Sequence, residues 1–384
     1  MDVTATDMLF APWHRGRLRL RNRMAVAPMT RISATIEGSA TQAMANYYQR
    51  FAHGGFGLVI TEGIYPDQAY SQGYPGQPGL SDEGQARAWR PVVEAVHRHG
   101  GQIFAQLMHA GALAQSNRFR QETVGPSPLK PKGKPLAIYG GRGAFSKPRQ
   151  MTDKDITEAV EGFASAARRA RDIAGFDGVE VHGANGYLLD QFLTSTANLR
   201  TDRYGGTADA RISLTVEAVA TLRRAVGDEF PLGVRISQAK VNDFDHKWPG
   251  GERDAEAIFG RLNDCGPDYI HVTEFEAWRP AFGSGSASLA ALARQFAPNC
   301  TIVANGGLHD VERARAMFTS ATTDLIALGR GALANPDWPR RVAVGMAINQ
   351  FDPAVLRPLA QLTPTETAAE TWRSREHSTR SAVS

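Results

Sequence analysis

Cysteine is scarce in this chain of 384 residues, which contains only Cys265 and Cys300. Two cysteines are too few for a disulfide framework, and they exclude a zinc or iron–sulfur site built from several cysteines. Long apolar runs are also missing: residues 1–20 contain no signal-peptide core, and no later stretch is long enough to span a membrane. We therefore expect a cytoplasmic protein in a reducing compartment.

An excess of charge of one sign is missing as well. The chain carries 43 basic and 39 acidic residues, a formal net charge of +4, and the basic residues are scattered along it. Proteins that bind nucleic acids concentrate Lys and Arg on one face instead. We expect a small-molecule substrate, and neither nucleic acid nor a membrane, as the partner; a homo-oligomer is compatible with the sequence.

Eight short apolar stretches alternate with longer amphipathic segments. The predicted strands are 22–29, 57–61, 102–107, 178–182, 232–236, 268–272, 301–304 and 324–328. Such alternation is typical of a parallel sheet, and eight units in a chain of this length favour a single closed (β/α)8 barrel, or TIM barrel. An open doubly wound sheet is the competing arrangement, but no Gly-x-Gly-x-x-Gly motif follows the first strand.

A long irregular segment and a polar tail depart from this alternation. Residues 110–151 follow the third strand and carry five prolines and four lysines. A segment of this length is typical of a lid or binding loop, and a loose insertion is the alternative. We assign residues 1–363 to the barrel with its lid-like insertion and residues 364–384 to a flexible C-terminal tail, in which Trp372 could dock on a neighbouring subunit.

Barrel enzymes carry their active sites at the C-terminal ends of the strands, and polar residues gather there in this sequence. After the fourth strand, His182 and Asn185 are two donors three residues apart, and Tyr187 is a phenol two residues further on. Two donors suit a carbonyl oxygen, and a phenol suits delivery of a proton. A simple polar turn is the alternative. Glu62, at the end of the second strand, is expected to have a structural role.

The other strand ends predict a site for a phosphorylated planar cofactor. Gly306-Gly307 and Gly329-Arg330 follow strands seven and eight, where barrels commonly bind phosphate. Glycine lets backbone N–H groups approach an anion closely, and Arg adds a charged donor. Gln106 and Thr30 suit the edge of a heterocycle, and Arg235 is expected to point into the barrel mouth. Two glycine turns without a phosphate are the alternative.

Five motifs lie on these strand ends and in the loops after them. They are Asn22-Arg23-Met24-Ala25-Val26-Ala27-Pro28-Met29-Thr30-Arg31, Ile60-Thr61-Glu62-Gly63, Gln106-Leu107-Met108-His109-Ala110-Gly111, the segment 182–206, and Gly329-Arg330. Together they resemble the motifs of the old yellow enzyme family, which are FMN-dependent NAD(P)H oxidoreductases, or ene-reductases. The resemblance covers residues 9–344, and the segment 182–206 is its most specific part.

The resemblance implies a TIM barrel that binds FMN and uses NADPH or NADH as the reductant. It implies that hydride passes from the flavin to the β-carbon of an activated alkene, an α,β-unsaturated carbonyl compound. His182 and Asn185 would bind the carbonyl oxygen, and Tyr187 would protonate the α-carbon. The residues that it places around FMN are Pro28, Met29, Thr30, Gly63, Gln106, Arg235, Gly306, Gly307, Gly329 and Arg330.

The chain departs from the family pattern near the site. Met108 stands where many members carry Trp, and the segment 237–240 differs from the common form. Lys240 could enter the pocket, although a surface position is the more expected one, and Phe275 and Trp278 could line it. These departures leave a second hypothesis, a flavin-dependent catabolic enzyme with another substrate, for example in amine demethylation. A flavin-free barrel that binds a phosphorylated metabolite is a third.

Overall fold

Eight parallel strands close into a barrel in the computed structural model, which describes residues 7–368. Each strand pairs with the next along the chain, and the last pairs with the first. The strands are β1 (Met24–Val26), β2 (Leu58–Ile60), β3 (Gln102–Leu107), β4 (Gly178–Asn185), β5 (Leu232–Lys240), β6 (Tyr269–Thr273), β7 (Thr301–Asn305) and β8 (Leu325–Leu328). The predicted TIM barrel is confirmed.

Helices surround the barrel and bury their apolar faces against it. They are α1 (Gln42–His53), α2 (Glu83–His97), α3 (Asp153–Arg169), α4 (Leu188–Leu193), α5 (Ala208–Arg211), α6 (Ser213–Val226), α7 (Glu252–Cys265), α8 (Leu289–Phe296), α9 (Val311–Thr319), α10 (Arg330–Ala334), α11 (Trp338–Ala343) and α12 (Pro364–Thr367). Between residues 7 and 368, none of them is long and apolar enough to cross a lipid bilayer.

The barrel is closed at its N-terminal end by a hairpin that precedes β1. Trp13–Arg15 pairs with Leu18–Leu20, and Leu18 and Leu20 are both buried. They form one apolar cluster with side chains of the barrel, namely Ala25, Ala27, Leu58, Ile60, Phe104, Tyr269, Val303, Leu325 and Ala327. Because this end is filled with apolar side chains, the room for a ligand is at the opposite end of the barrel.

Two strands run several residues further than the sequence predicts. β4 continues past His182 to Asn185, and β5 continues past Ile236 to Lys240. The two extensions pair with each other, and their register shifts between Gly183 and Asn185. Such an irregularity bends a strand and redirects a side chain, and it is frequent beside active sites. Here it carries Asn185 to the mouth of the barrel.

The insertion after β3 is partly ordered by short elements of its own. Val124–Gly125 pairs in parallel with Arg149–Gln150, and Ala137–Tyr139 forms a turn of 3-10 helix. Tyr139 at the end of that turn lines the cavity at the barrel mouth. The insertion therefore contributes a wall of the site, and its movement as a lid stays a prediction.

Residues 364–368 lie against the barrel, within the segment that the sequence analysis assigns to the flexible tail. Glu366 in α12 is buried, and its Oε2 accepts a hydrogen bond of 2.6 Å from Nη2 of Arg31. A buried guanidinium needs an anionic partner, and Arg31 finds it in this helix. The rest of the predicted tail, residues 369–384 with Trp372, lies outside the described residues.

We expect Glu366→Ala to lower the free energy of unfolding by about 3–5 kcal/mol, because it leaves the guanidinium of Arg31 buried without its carboxylate. Urea denaturation followed by circular dichroism measures this. Glu83→Ala is the matched control, since it removes a carboxylate from an exposed pair with Arg87, whose side chains are 67% and 63% exposed. We expect little change in the control; equal losses in both variants would contradict the role given to Glu366.

Candidate active site

A cavity of about 500 Å³ lies at the C-terminal ends of the barrel strands. Its volume is within the range of small-molecule sites, roughly 300–1,000 Å³. The residues that the sequence predicts for catalysis or cofactor binding all line it: Pro28, Met29, Thr30, Gly63, Gln106, His182, Asn185, Tyr187, Arg235, Gly306, Gly307, Gly329 and Arg330. Within residues 7–368, no cluster of His, Cys, Asp or Glu could hold a metal ion.

One end of the cavity is formed by the loops after β7 and β8. Gly306 and Gly307 have φ values of 137° and 65°, which L side chains rarely adopt. A Cβ at Gly306 would lie 2.1 Å from the carbonyl oxygen of Glu274, so only glycine fits there. Arg330 begins α10, and its guanidinium lies 5.3 Å from the ring centre of Phe275. This end is therefore built from glycine backbone that packs closely on the loop after β6, together with a cation.

Arg235 on β5 is buried beside the middle of the cavity. Its Nη2 donates to Oδ1 of Asn305 at 2.9 Å and to Oγ1 of Thr273 at 3.2 Å. Its Nε is buried and makes no hydrogen bond with any of residues 7–368. Burial lowers the pKa of this guanidinium, and Glu180 opposes that shift. A buried donor without a partner costs about 1–3 kcal/mol, so we expect a bound ligand to accept from it.

A buried hydrogen-bond network that the sequence analysis missed holds Gln106 in place beneath the cavity. Glu180 on β4 accepts a hydrogen bond of 2.8 Å from Nε2 of Gln106, and it lies 2.9 Å from Nδ1 of His271. Burial opposes the charge of Glu180, but His271 and Arg235 hold the pKa of its carboxyl below the ordinary value. Glu180 therefore fixes the rotation of the Gln106 amide. Alternation along β4 could have found it, since Glu180 and His182 point to the same side.

His182 reaches the cavity as a neutral imidazole. Burial, with help from Arg235 and His271, holds the pKa of His182 well below its ordinary value. Its Nδ1 is buried and has no hydrogen-bond partner in the described part of the chain. A neutral imidazole can donate to a ligand oxygen without bringing a full charge into the site.

Tyr187 is hydrogen-bonded to a second phenol that the sequence analysis did not single out. The hydroxyl of Tyr74, from the loop between β2 and α2, is hydrogen-bonded to the hydroxyl of Tyr187. The rings of His182 and Tyr187 lie 5.0 Å apart. Burial raises the pKa of both phenols above the ordinary value, so both hold their protons at neutral pH. The sequence carried no signal for Tyr74 beyond a tyrosine in a long loop.

Three residues near the site, Lys240, Phe275 and Trp278, can now be compared with their expected positions. Lys240 is only 5% exposed and lies 2.7 Å from Oδ1 of the fully buried Asp190, so the expected surface position is wrong. Phe275 lines the cavity, as does Met108. Trp278 instead packs beneath the guanidinium of Arg313, 3.8 Å from its ring centre.

Glu62 has the structural role that the sequence analysis expected. Its Oε2 accepts from the backbone N–H of Arg31 at 2.9 Å and from that of Ile32 at 3.1 Å. Ile32 has a φ of 37°, a conformation that β-branched residues rarely adopt. The carboxyl group therefore holds the strained turn that follows Thr30.

We expect the contribution of Glu62 to stability to fall as pH rises. Burial raises the pKa of Glu62 to about 7, from 4.5. The folded chain therefore holds this proton more tightly than the unfolded chain, so the contribution is full below about pH 4.5 and lost by about pH 7. Urea titrations at pH 5 and at pH 8 measure the free energy of unfolding. Between these two pH values it should fall for wild type relative to the Glu62→Gln variant, whose side chain cannot ionise. A difference in the free energy of unfolding between wild type and Glu62→Gln that is the same at both pH values would contradict this.

Comparisons with known proteins identify the family to which this chain belongs. Residues 8–349 match the model of the NADH:flavin oxidoreductase / NADH oxidase family. The chain is 34% identical to a putative 12-oxophytodienoate reductase 3 of Oryza sativa subsp. japonica, over 91% of this chain and 89% of that protein.

Solved structures show the same similarity. An old yellow enzyme homologue from Zymomonas mobilis superposes with a TM-score of 0.83 at 31% identity, covering 94% of this chain and 98% of the other. Morphinone reductase in complex with tetrahydroNAD gives a TM-score of 0.79 at 32% identity, covering 91% and 93% of the two chains. The predicted resemblance is confirmed: this chain belongs to the NADH:flavin oxidoreductase / NADH oxidase family, that of the old yellow enzymes, and is an FMN-dependent oxidoreductase.

Proposed function

We propose that this protein reduces the carbon–carbon double bond of α,β-unsaturated carbonyl compounds, with FMN as cofactor and NADPH or NADH as reductant. The observation that carries the proposal is the convergence of His182, Asn185 and Tyr187 on one cavity with the predicted flavin-binding residues. Two neutral donors and a protonated phenol in one site are the groups needed to hold a carbonyl oxygen and protonate a neighbouring carbon.

The cavity fits the two chemical parts of FMN. At one end, Gly306, Gly307, Gly329 and Arg330 would hold the phosphate, in the position where barrels commonly bind one. In the middle, the unpartnered Nε of Arg235 would meet an acceptor of the flavin ring. The fixed amide of Gln106 would pair with the same polar edge, where negative charge gathers on reduction.

The opposite edge of the ring would lie along the segment after β1. Pro28 and Met29 would present their backbone there, and Thr30 its hydroxyl. Gly63 packs directly against Met108, since a Cβ at this position would lie 2.6 Å from Sδ of Met108. The turn that Glu62 holds follows Thr30 directly, so this part of the site is fixed before a ligand binds.

When bound, FMN supplies the hydride, which originates from NADPH or NADH and goes to the β-carbon of the alkene. His182 and Asn185 would donate to the carbonyl oxygen and stabilise the negative charge that develops on it. A preorganised donor of this kind is worth about 10²–10³ in rate. Tyr187 would then deliver a proton to the α-carbon, and the hydroxyl of Tyr74 would stabilise the phenolate left behind.

The comparisons support this function against the two alternatives. The family match favours a flavin enzyme over a flavin-free barrel that binds a phosphorylated metabolite. Relatives named 12-oxophytodienoate reductase and morphinone reductase favour reduction of a carbonyl-containing substrate over amine demethylation.

Anaerobic turnover tests the proposal. Protein saturated with FMN is supplied with NADPH or NADH and 2-cyclohexenone, and the saturated ketone is quantified by gas chromatography. We expect one cyclohexanone for each NAD(P)H oxidised. A panel of enones, nitroalkenes and amines distinguishes the alternatives: no saturated product from any activated alkene, with flavin reduction by an amine instead, would overturn the proposal.

A further inference from the structure

The turn that carries Asn185 is in an unusual conformation. Asn185 has a φ of 61° and Gly186 a φ of 89°, so two consecutive residues are left-handed. Asn tolerates this region better than most residues. A Cβ at Gly186 would lie 2.7 Å from Oδ1 of Asn242 and 3.3 Å from Cβ of Lys240. The side chains of Asn242 and Lys240 therefore enclose the turn closely.

Hydrogen bonds from three directions hold this turn. The N–H of Asn185 donates to Oγ of Ser237 at 2.8 Å, and its carbonyl oxygen accepts from the N–H of Val241 at 3.1 Å. The N–H of Gly186 donates to Oδ2 of Asp190 at 2.6 Å. The first two contacts come from β5 and the residue that follows it, and the third comes from a buried carboxylate. A fourth comes from Nε2 of Gln191, which donates to the carbonyl oxygen of Gly186 at 2.8 Å.

That carboxylate depends on Lys240. Asp190 is fully buried, and Nζ of Lys240 lies 2.7 Å from its Oδ1 and 2.9 Å from its Oδ2. Oδ2 therefore serves Lys240 and the N–H of Gly186 together. An unpaired buried carboxylate is unfavourable and would turn toward water or take up a proton. Loss of the Lys240 charge would thus weaken the contact that fixes Gly186.

The side chain of Lys240 lies between two cavities. It lines the active-site cavity on one side and a second cavity of about 320 Å³ on the other. Because its ammonium group lies against both oxygens of Asp190, the charge of Lys240 acts on the turn through Asp190.

We propose that Lys240, acting through Asp190, is a positioning residue for Asn185, an inference that rests on the carbonyl-binding role proposed above for Asn185. The pair holds the turn in the one conformation that presents the Asn185 amide to the cavity. Lys240 therefore sets how tightly the site binds a carbonyl oxygen, while the cofactor end of the cavity does not depend on it.

A double-mutant cycle tests this inference. The affinity of the FMN-loaded, oxidised protein for cyclohexanone, which has no alkene to reduce, is measured from the change in the flavin absorbance spectrum. We expect Asn185→Ala and Lys240→Met each to weaken binding about tenfold, the effect of losing one hydrogen bond. In the Asn185→Ala background, Lys240→Met should add less than about a twofold change.

Three controls separate positioning from general damage. Lys240→Arg keeps the positive charge beside Asp190 and should weaken binding less than Lys240→Met does. Lys132→Met removes the ammonium from a pair with Asp243 in which Lys132 is 73% exposed, and it should have no effect. The affinity of the apoprotein for FMN, measured by quenching of FMN fluorescence, should be the same in wild type and in Lys240→Met.

The outcomes distinguish the inference from the proposed function. If Lys240→Met leaves binding unchanged, or weakens it as much in the Asn185→Ala background as in the wild-type background, the inference is wrong and the proposed function stands. If Asn185→Ala has no effect on binding, both the inference and the carbonyl-binding role proposed for Asn185 are wrong, and enone turnover decides the rest of the proposed function. Where Lys240→Met does not fold, Lys240→Gln enters the same cycle, since its amide still donates to Asp190 without the charge.

Discussion

Tyr187→Phe is expected to slow reduction of the alkene about 10²–10⁴-fold, the contribution of a positioned general acid. The substitution removes only the hydroxyl, so the ring still packs beside His182, 5.0 Å from its centre. Reduction of the flavin by NADPH or NADH transfers hydride without a proton from this group, and we expect its rate to stay within about twofold. Anaerobic stopped-flow absorbance at the flavin band measures the two half-reactions separately.

The neighbouring phenol supplies the matched control for Tyr187. Tyr74→Phe keeps the proton donor and removes only the hydrogen bond between the two hydroxyls. We expect a smaller loss, about tenfold or less, because one hydrogen bond to the developing phenolate is missing. Full enone turnover in Tyr187→Phe would show that water or another group protonates the α-carbon.

His182→Ala is expected to lower kcat for 2-cyclohexenone about 10²–10³-fold, as for other donors that meet a developing oxyanion. The loss should appear in kcat more than in KM, because the hydrogen bond strengthens as negative charge moves onto the carbonyl oxygen. Steady-state kinetics under saturating NADPH or NADH separates the two constants.

An exposed histidine is the control for this variant. His97 is 40% exposed and pairs with Asp177 at the end of α2, away from the cavity. We expect His97→Ala to keep the kcat of wild type. A loss in His182→Ala that is confined to KM would mean that His182 binds the substrate without stabilising the transition state.

The barrel and the position of the site were predictable because both rest on local patterns. Strands of a parallel barrel are buried on both faces, so they read as continuous apolar runs such as Leu58–Ile60 and Leu325–Leu328. Once those runs are placed, the residues that follow them must meet at one end of the barrel. This is why the predicted residues all line one cavity.

The extended strands and the ion pair between Lys240 and Asp190 were not predictable, because they depend on contacts between distant parts of the chain. The polar residues Ser237 and Gln238 end the apolar run of β5 in the sequence, yet the strand continues because β4 pairs with it there. Lys240 reads as a surface residue, since its partner Asp190 is 50 positions away. Only the folded chain shows that the two charges neutralise each other.

The same limit applies to the ends of the chain and to long loops. Glu366 looked like part of a polar tail, but it is the buried partner of Arg31, 335 positions earlier. Tyr74 lies in a loop with no periodic pattern, and its contact with Tyr187 spans 113 positions. Contacts of this kind have no signature within a short window of sequence.

The central claim is that one FMN site accepts hydride from NAD(P)H and gives it to an activated alkene. The most direct measurement is an anaerobic titration of the FMN-loaded protein followed through the absorbance of the flavin. One equivalent of NADPH or NADH should bleach the oxidised band, and one equivalent of 2-cyclohexenone should restore it. A flavin that is bleached by the reductant and stays reduced in the presence of every enone offered would contradict the account.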